Sequence, residues 1–377
     1  MTEIFQGAIT IFLFFFILGS LVLVHELGHF VTARLAGVRV LEFGIGFPPR
    51  AKVLRAKGET LYTLNWLPIG GFVKLEGEDG DAGDDPRSFV RARLPTKLII
   101  LVAGVAMNLV TAFLIFTLIA LVATPFVGLR FNEIQPGSPA AAAGLKPGEA
   151  IVSIGDGPFE FFGAYSGERP VLDELQASAG QTVPLTIEGV DGSRRNISVT
   201  LRPQSEIDAS RDADGVLQKG PLGISKFESY FFGPYTGHDL PTSVSIGASE
   251  TVRWFGLILG GLGDLVSGFV SNPTAPPAVQ GPVGIATAIG DVFFGAGAIL
   301  TLYVAGILSA NLALVNALPF PPLDGGRMLM IVLKALFGTR ISLRAERLTY
   351  VVGFIFLFAF LIWVTGFDLV RVLGGGT

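Results

Sequence analysis

The chain has 377 residues, half of them hydrophobic, with 31 Phe, 15% charged residues and a mean hydropathy of +0.60; this is too apolar for an ordinary soluble protein and fits a multi-pass membrane protein. The net charge of −4 comes without a basic stripe of the kind that nucleic-acid binding requires. With no Cys in the sequence, disulfides and thiolate ligands are excluded, so any metal has to be held by His and carboxylate groups.

The first predicted element is an apolar span over Phe5–Val24, whose roughly twenty residues at 1.5 Å each cross about 30 Å of hydrocarbon. It lacks a basic leader and a small-residue cleavage site, so it reads as a retained span and not as a signal peptide. The span runs straight into His25-Glu26-Leu27-Gly28-His29. Ionisable side chains in an apolar segment are costly and point to function. Positions four apart share a helix face, so both imidazoles can hold one zinc ion while Glu26, one residue along, leans toward the water such an ion would activate. The spacing H-E-x-x-H is a metalloprotease donor pattern. Of the three histidines, only His238 lies elsewhere, in an aromatic-rich linker, and it reads as structural.

Residues 34–97 form a loop carrying eleven Lys and Arg, among them Arg34, Arg39, Arg50, Lys52, Arg55 and Lys57. Within it, "ETLYTLNWLPIGGFVKLEGE" alternates and turns around Pro68–Gly71, which predicts a β-hairpin. A second span covers Leu98–Leu129. Residues 127–228 then lose the membrane character and read as short strands and turns, with a small Ala-rich helix over Pro139–Ala143 stopped by Gly144 and a hairpin around Asp191-Gly192. The stretch 243–269 is apolar but interrupted by Glu250, Arg253 and Asp264, which predicts a helix lying at the interface and not a fifth span. After a loop, "SNPTAPPAVQGPVG", come a third span over Val292–Leu323 and a fourth over Leu348–Phe367. No internal repeat is visible.

A catalytic zinc site takes three protein ligands and keeps a position for water. The best third donor is Asp324 in "NALPFPPLDGGR", a carboxylate at the end of an apolar span whose helix Pro319, Pro321 and Pro322 have broken. Taken alone, Asp324 could equally be a helix N-cap. The positive-inside rule puts the cation-rich loops 34–97 and 324–347 in the cytoplasm and both termini outside. Two spans entering from outside then deliver His25 and Asp324 to the same membrane face.

"PGSPAAAAGLKPGEAIVSIGDGP" resembles the helix, turn and strand of PDZ modules in bacterial proteases, and "KGPLGISKF" (219–227) resembles their carboxylate-binding loop and following strand. Because that loop comes last, the likeness is to the circularly permuted bacterial form; the alternative is a generic small β domain. The whole chain resembles the site-2 protease family of intramembrane zinc metalloproteases. Beside H-E-x-x-H and Leu323-Asp324-Gly325, it carries "FGIGFPPR" (43–50), "GETLYTLNWLPIGGFVKLEGE" (58–78), "AGVAMNLVTA" (103–112) and "GPVGIATAIG" (281–290) in the family's order. Two departures stand out: members often have a Pro where Val105 or Ala106 stands, and many carry two PDZ modules.

The resemblance implies a polytopic α-helical membrane protein with four transmembrane helices, an inserted β-rich circularly permuted PDZ domain and a cytoplasmic-side β-hairpin. Its parts would be 1–126 and 292–377 as the two catalytic halves, 127–228 as an extracytoplasmic PDZ domain, and 229–291 as linker and interfacial helix. It implies Zn²⁺ on His25, His29 and Asp324, Glu26 as general base, and Asn316 steadying substrate backbone or the developing oxyanion; an Asn in a membrane helix can also simply bond a neighbouring helix. Gly70, Gly71, Phe72 and Val73 would offer a strand edge to substrate. Leu222, Gly223 and Ile224 would bind a new C-terminus, unless the domain acts instead as a size filter over the entrance. The implied activity is regulated intramembrane proteolysis in the inner cell membrane, on single-span clients such as an anti-sigma factor or a signal-peptide remnant. The alternatives are a catalytically silent scaffold displaying a PDZ domain, for which Glu26 would have no use, and a transporter, which the lack of paired broken helices disfavours.

Overall fold

The computed structural model describes residues 2–56, 58–78, 85–155, 157–162, 169–212, 216–272, 276–277, 279–338 and 341–374. Lys57 and Arg340, two cations of the loops counted above, lie outside the described residues. The elements are, in chain order, α1 (Thr2–Leu35), β1 (Val40–Arg55), β2 (Leu61–Leu75), α2 (Leu94–Val122), β3 (Thr124–Ile134), α3 (Pro139–Ala142), β4 (Ala150–Ile154), β5 (Phe159–Glu160), α4 (Arg169–Ala177), β6 (Thr182–Glu188), β7 (Arg194–Thr200), α5 (Gln204–Asp208), β8 (Ile224–Thr236), α6 (Leu240–Ser271), α7 (Pro282–Ala317), α8 (Asp324–Phe337) and α9 (Leu343–Leu373). They fall into two compact units, residues 1–117 with 247–377, and residues 118–246.

In the first unit, α1, α2, α6, α7 and α9 are long and apolar enough to cross a membrane, where a helix satisfies every backbone polar group internally. The boundaries differ from the expected spans for local reasons. α1 continues through the histidines to Leu35, because nothing from Phe5 onward breaks the helix. α2 stops at Val122, and Pro125 with the β-prone run after it turns the end of the expected second span into β3. α7 begins ten residues before Val292, is interrupted at Gly297, where φ is 84°, and ends at Ala317, ahead of Pro319. α6, the least apolar of the five, is the helix expected at the interface.

Side-chain contacts give the helix directions. Gly28 packs against Ala103 and Met107 and His25 lies beside Asn108, so α1 and α2 are antiparallel. Gly290 sits on Thr10, and Ala305 clusters with Ile17 and Leu21, so α1 and α7 run parallel. α9 runs back along α7: Gly353 packs on Pro321 just beyond the end of α7, and the Asp368 carboxylate accepts the N–H of Gly284 in its first turn at 2.8 Å. Small residues at these crossings let the backbones approach closely.

β1 and β2 form a two-stranded antiparallel sheet that folds over on itself. Residues 40–45 pair with 71–75 on one side (Phe43 with Val73, Ile45 with Gly71) and with 61–64 on the other (Phe43 with Tyr62, Gly44 with Thr63), while 50–55 return onto 62–65. The two arms of the expected hairpin around Pro68–Gly71 therefore do not pair with each other. β1 lies between them, and 71–75 becomes an outer edge.

The second unit is a six-stranded sheet of order β5-β3-β4-β6-β7, with β8 on β3 from Ile134–Ile224 to Thr124–Thr236. The Asp191-Gly192 turn joins β6 and β7, with Gly192 at φ 78°. Leu129, Phe131, Ile151, Leu185, Ile187 and Val199 fill the core under Val171 and Leu175 of α4; each fully buried side chain contributes about 1.5–3 kcal/mol. Among the described residues, no strand pairs with the outer edge of β8.

Candidate metal centre

One turn of α1 separates His25 and His29, which are both buried and face the same side. Asp324 arrives from the connection between α7 and α8. It is the first residue of α8 and does not cap it: Leu323 holds the N-cap position. The tight turn requires Gly325 and Gly326, since a Cβ at either would sit 2.5 Å from a backbone carbon of Ala317 or Phe320. His25 Nε2 lies 2.8 Å from Asp324 Oδ2, His29 Nε2 lies 3.1 Å from the same oxygen, and the two Nε2 atoms are 3.1 Å apart. His29 Nδ1 donates to the Ile100 carbonyl at 2.8 Å, so the neutral ring turns its Nε2 lone pair inward.

Three potential metal-donor atoms thus converge on one point, and protons or a metal ion must lie among them. All three atoms fall within 4.8 Å of one another. Zinc bonds of 2.0–2.1 Å in a tetrahedron put neighbouring donors about 3.3 Å apart. The spacing and the His₂-carboxylate chemistry fit a catalytic zinc ion with a position left for water.

Glu26 lines a cavity of about 210 Å³ together with His29 and Asp324. Gly71, Phe72 and Val73 line it too, so this part of β2 runs past the metal cluster. Gly71 lets β2 lie close on β1, since a Cβ there would lie 2.7 Å from the Gly44 carbonyl oxygen, and that Cβ position is 3.8 Å from Glu26 Cγ. Gly70 turns the chain at φ 70°, with a Cβ position 2.8 Å from Val22. Arg327, one turn beyond Asp324, pairs with Glu78 at 2.6 Å, and Glu78 also accepts the Leu75 N–H at 3.0 Å, which ties α8 to the end of the edge strand. Burial acts to lower the Arg327 pKa, but Glu78 and Asp324 outweigh it and hold it above the ordinary value.

The other expected site residues lie apart from this cluster. Asn316 is in the last turn of α7, half-buried, and is not among the residues lining the cavity. Leu222 is 1% exposed and belongs to the core of the second unit. Its carbonyl accepts the Ala140 N–H at 3.0 Å and that of Gly223 accepts Gln135 N–H at 2.9 Å. Ile224 opens β8. His238 lies 3.2 Å from Glu160. Sequence reasoning missed the support from α2, where Ile100, Gly104 and Asn108 lie along one face at intervals of four and back onto both imidazoles. The four-residue interval in "AGVAMN" was the available signal.

The family model described as "Peptidase family M50" matches residues 13–360. A protein of Clostridium acetobutylicum named as a zinc metalloprotease is 31% identical over 358 residues, covering 93% of this chain and 95% of that protein. "Zinc metalloprotease RasP" of Geobacillus kaustophilus is 26% identical over 447 residues, covering 94% and 96%. A chloroplastic Arabidopsis thaliana protein named as a membrane metalloprotease is 29% identical over 332 residues, covering 86% and 71%.

Proposed function

The chain belongs to peptidase family M50, the site-2 protease family of zinc metalloproteases, and on that premise we propose that it is an intramembrane endopeptidase cutting the membrane segment of single-span proteins in regulated intramembrane proteolysis. His25, His29 and Asp324 hold the zinc ion. A zinc ion bound there would polarise the scissile carbonyl and lower the pKa of the attacking water. Glu26 takes the proton from that water and hands it to the leaving amine. The observation that carries the reading is that a carboxylate with no place in the donor triangle lines the same cavity as His29 and Asp324. A silent scaffold has no use for it.

A peptide inside a helix hides its backbone, so a client has to be unwound before it is cut. Gly70, Gly71, Phe72 and Val73 receive it as an added strand on the edge of β2 with which no other strand pairs among the described residues, where N–H and C=O groups can take up a partner. This is supported by Gly71, Phe72 and Val73 lining the same cavity as Glu26 and Asp324. Asn316 steadies the client's backbone or the oxyanion. Clients are of the anti-sigma-factor or signal-peptide-remnant kind.

Four spans are supported by the helix directions. α1 and α7 run parallel and α2 runs against α1, so the chain is on the starting side of α1 both after α2 and before α7, and α6 makes no net crossing. The cation-rich loops support an active site toward the cytoplasmic face of the inner cell membrane. Residues 127–228 form an extracytoplasmic, circularly permuted PDZ domain between the catalytic halves 1–126 and 292–377, with 229–291 as linker and interfacial helix. The domain excludes clients with bulky external parts; the competing role, capture of a trimmed C-terminus at Leu222, Gly223 and Ile224, is supported by the open edge of β8.

Purified protein with Glu26→Gln should bind zinc like wild type and lose cleavage of a model transmembrane substrate by about 10²-fold or more, whereas His25→Ala, His29→Ala or Asp324→Ala should also lower the zinc content. Wild-type cleavage by Glu26→Gln would overturn the enzymatic assignment of this residue, and full zinc occupancy in Asp324→Ala would remove Asp324 from the ligand set.

A further inference from the structure

The Asn108 side chain is fully buried on α2. Its amide nitrogen lies 3.3 Å from His25 Nδ1, and its Oδ1 has no hydrogen-bond partner among the described residues. Buried polar atoms of this kind call for a reason. The neighbouring ring supplies one. His25 turns Nε2 toward Asp324 and His29, at 2.8 and 3.1 Å, and a nitrogen that ligates zinc is unprotonated. The neutral His25 ring then carries its proton on Nδ1 and faces the amide as a donor. An NH₂ group cannot accept that proton. The two ends of an amide have nearly the same shape, and a half-turn about its terminal bond brings Oδ1 to the ring.

We infer that Asn108 is a positioning residue for the zinc site, accepting the His25 Nδ1–H through its side-chain oxygen and so fixing which nitrogen His25 offers to the metal. The inference rests on His25 being a zinc ligand, as proposed above. α2 already plays this part for the other ring, where the Ile100 carbonyl accepts the His29 Nδ1–H at 2.8 Å. Ile100 and Asn108 are two turns apart, and between them Gly104 leaves room for both imidazoles: a Cβ there would lie 2.6 Å from His29 Cε1 and 2.8 Å from His25 Cε1. The Ser309 hydroxyl of α7 donates to the Asn108 backbone carbonyl at 2.7 Å, which fixes α2 at this level. Acceptors behind metal-ligating imidazoles set the tautomer and ring orientation, and losing one typically weakens metal binding 10- to 100-fold.

The test uses the full chain in detergent, with the zinc Kd measured by chelator competition and the visible spectrum of the Co²⁺-substituted protein. Asn108→Leu keeps the shape and removes the acceptor. It should raise the zinc Kd 10- to 100-fold and shift the cobalt spectrum. Asn108→Asp keeps only acceptors and should hold zinc within about threefold of wild type with a native-like spectrum, since a carboxylate also supports a ligating His. A purely helix-packing or donating role for Asn108 gives the reverse: Asn108→Asp would then raise the zinc Kd about tenfold or more over wild type, which overturns the inference even if Asn108→Leu fails to fold. Wild-type zinc affinity and spectrum in folded Asn108→Leu would overturn it as well. His25→Ala separates the two levels. If it keeps full zinc, the metal-site assignment fails; if it loses zinc while Asn108→Leu does not, only the role of Asn108 fails.

Discussion

Gly104→Ala adds one methyl group at the point where α2 backs onto both imidazoles. The new Cβ would stand 2.6 Å from His29 Cε1 and 2.8 Å from His25 Cε1, against an ordinary carbon–carbon contact of about 3.5 Å. The rings and α2 must therefore separate by roughly 0.7–0.9 Å. Neither side yields easily, because His29 is held to the Ile100 carbonyl at 2.8 Å, Ser309 holds the Asn108 carbonyl at 2.7 Å, and Gly28 packs on Ala103 and Met107. Functional sites tolerate displacements of only about 0.5 Å. The helix itself gains from the substitution, since Ala is favoured over Gly in a helix interior by about 0.8–1.0 kcal/mol, so the loss should fall on the metal site. The expected zinc Kd is about 10- to 100-fold weaker, or roughly 1.4–2.7 kcal/mol, read by chelator competition on detergent-purified protein, with cleavage reduced in parallel when zinc is limiting. Gly256→Ala is the control, because nothing lies within 4 Å of its Cβ position, and it should leave the Kd unchanged. A wild-type Kd in Gly104→Ala would refute the packing role assigned to this face of α2.

Two further outcomes are expected. Successive residues of a strand point their N–H groups to opposite edges, so of Phe72→Pro and Val73→Pro at least one removes an outward donor and spares the sheet; that variant should cut at least about tenfold more slowly with normal zinc content, a loss comparable to one missing hydrogen bond of about 1.4 kcal/mol. Unchanged cleavage by both would exclude strand addition at β2. In the second unit, Ile224→Asp should leave cleavage of a client pre-trimmed on its external side within about threefold of wild type if residues 127–228 act as a filter, whereas arrest of that cleavage in folded, zinc-loaded protein would establish tail capture.

The residue sequence by itself determined the membrane class and the pair of imidazoles with their carboxylate neighbour, because hydrocarbon length and the 3.6-residue helical period are local properties. The small helix at Pro139 and the hairpin at Asp191-Gly192 were legible for the same reason, each being set by its own Pro, Asp and Gly residues. Asp324 was legible only as a pair of possibilities, cap or ligand. Tertiary structure brought it to the imidazoles, since α7 and α8 set its carboxylate oxygen 2.8 Å from His25 across almost three hundred residues of chain. The fold-over that puts β1 between the arms of β2 was equally out of reach, because alternation reports which face is buried but not which strand is the neighbour. The helix break at Gly297 and the end of α2 at Val122 fell inside or beside continuous apolar runs, where hydropathy carries no boundary. Most hidden of all was the support behind the histidines. One acceptor there is the backbone carbonyl of Ile100 and the space between the rings is the missing Cβ of Gly104, and neither a carbonyl nor an absence has a letter in the sequence; only the antiparallel crossing of α1 and α2 gives them a role.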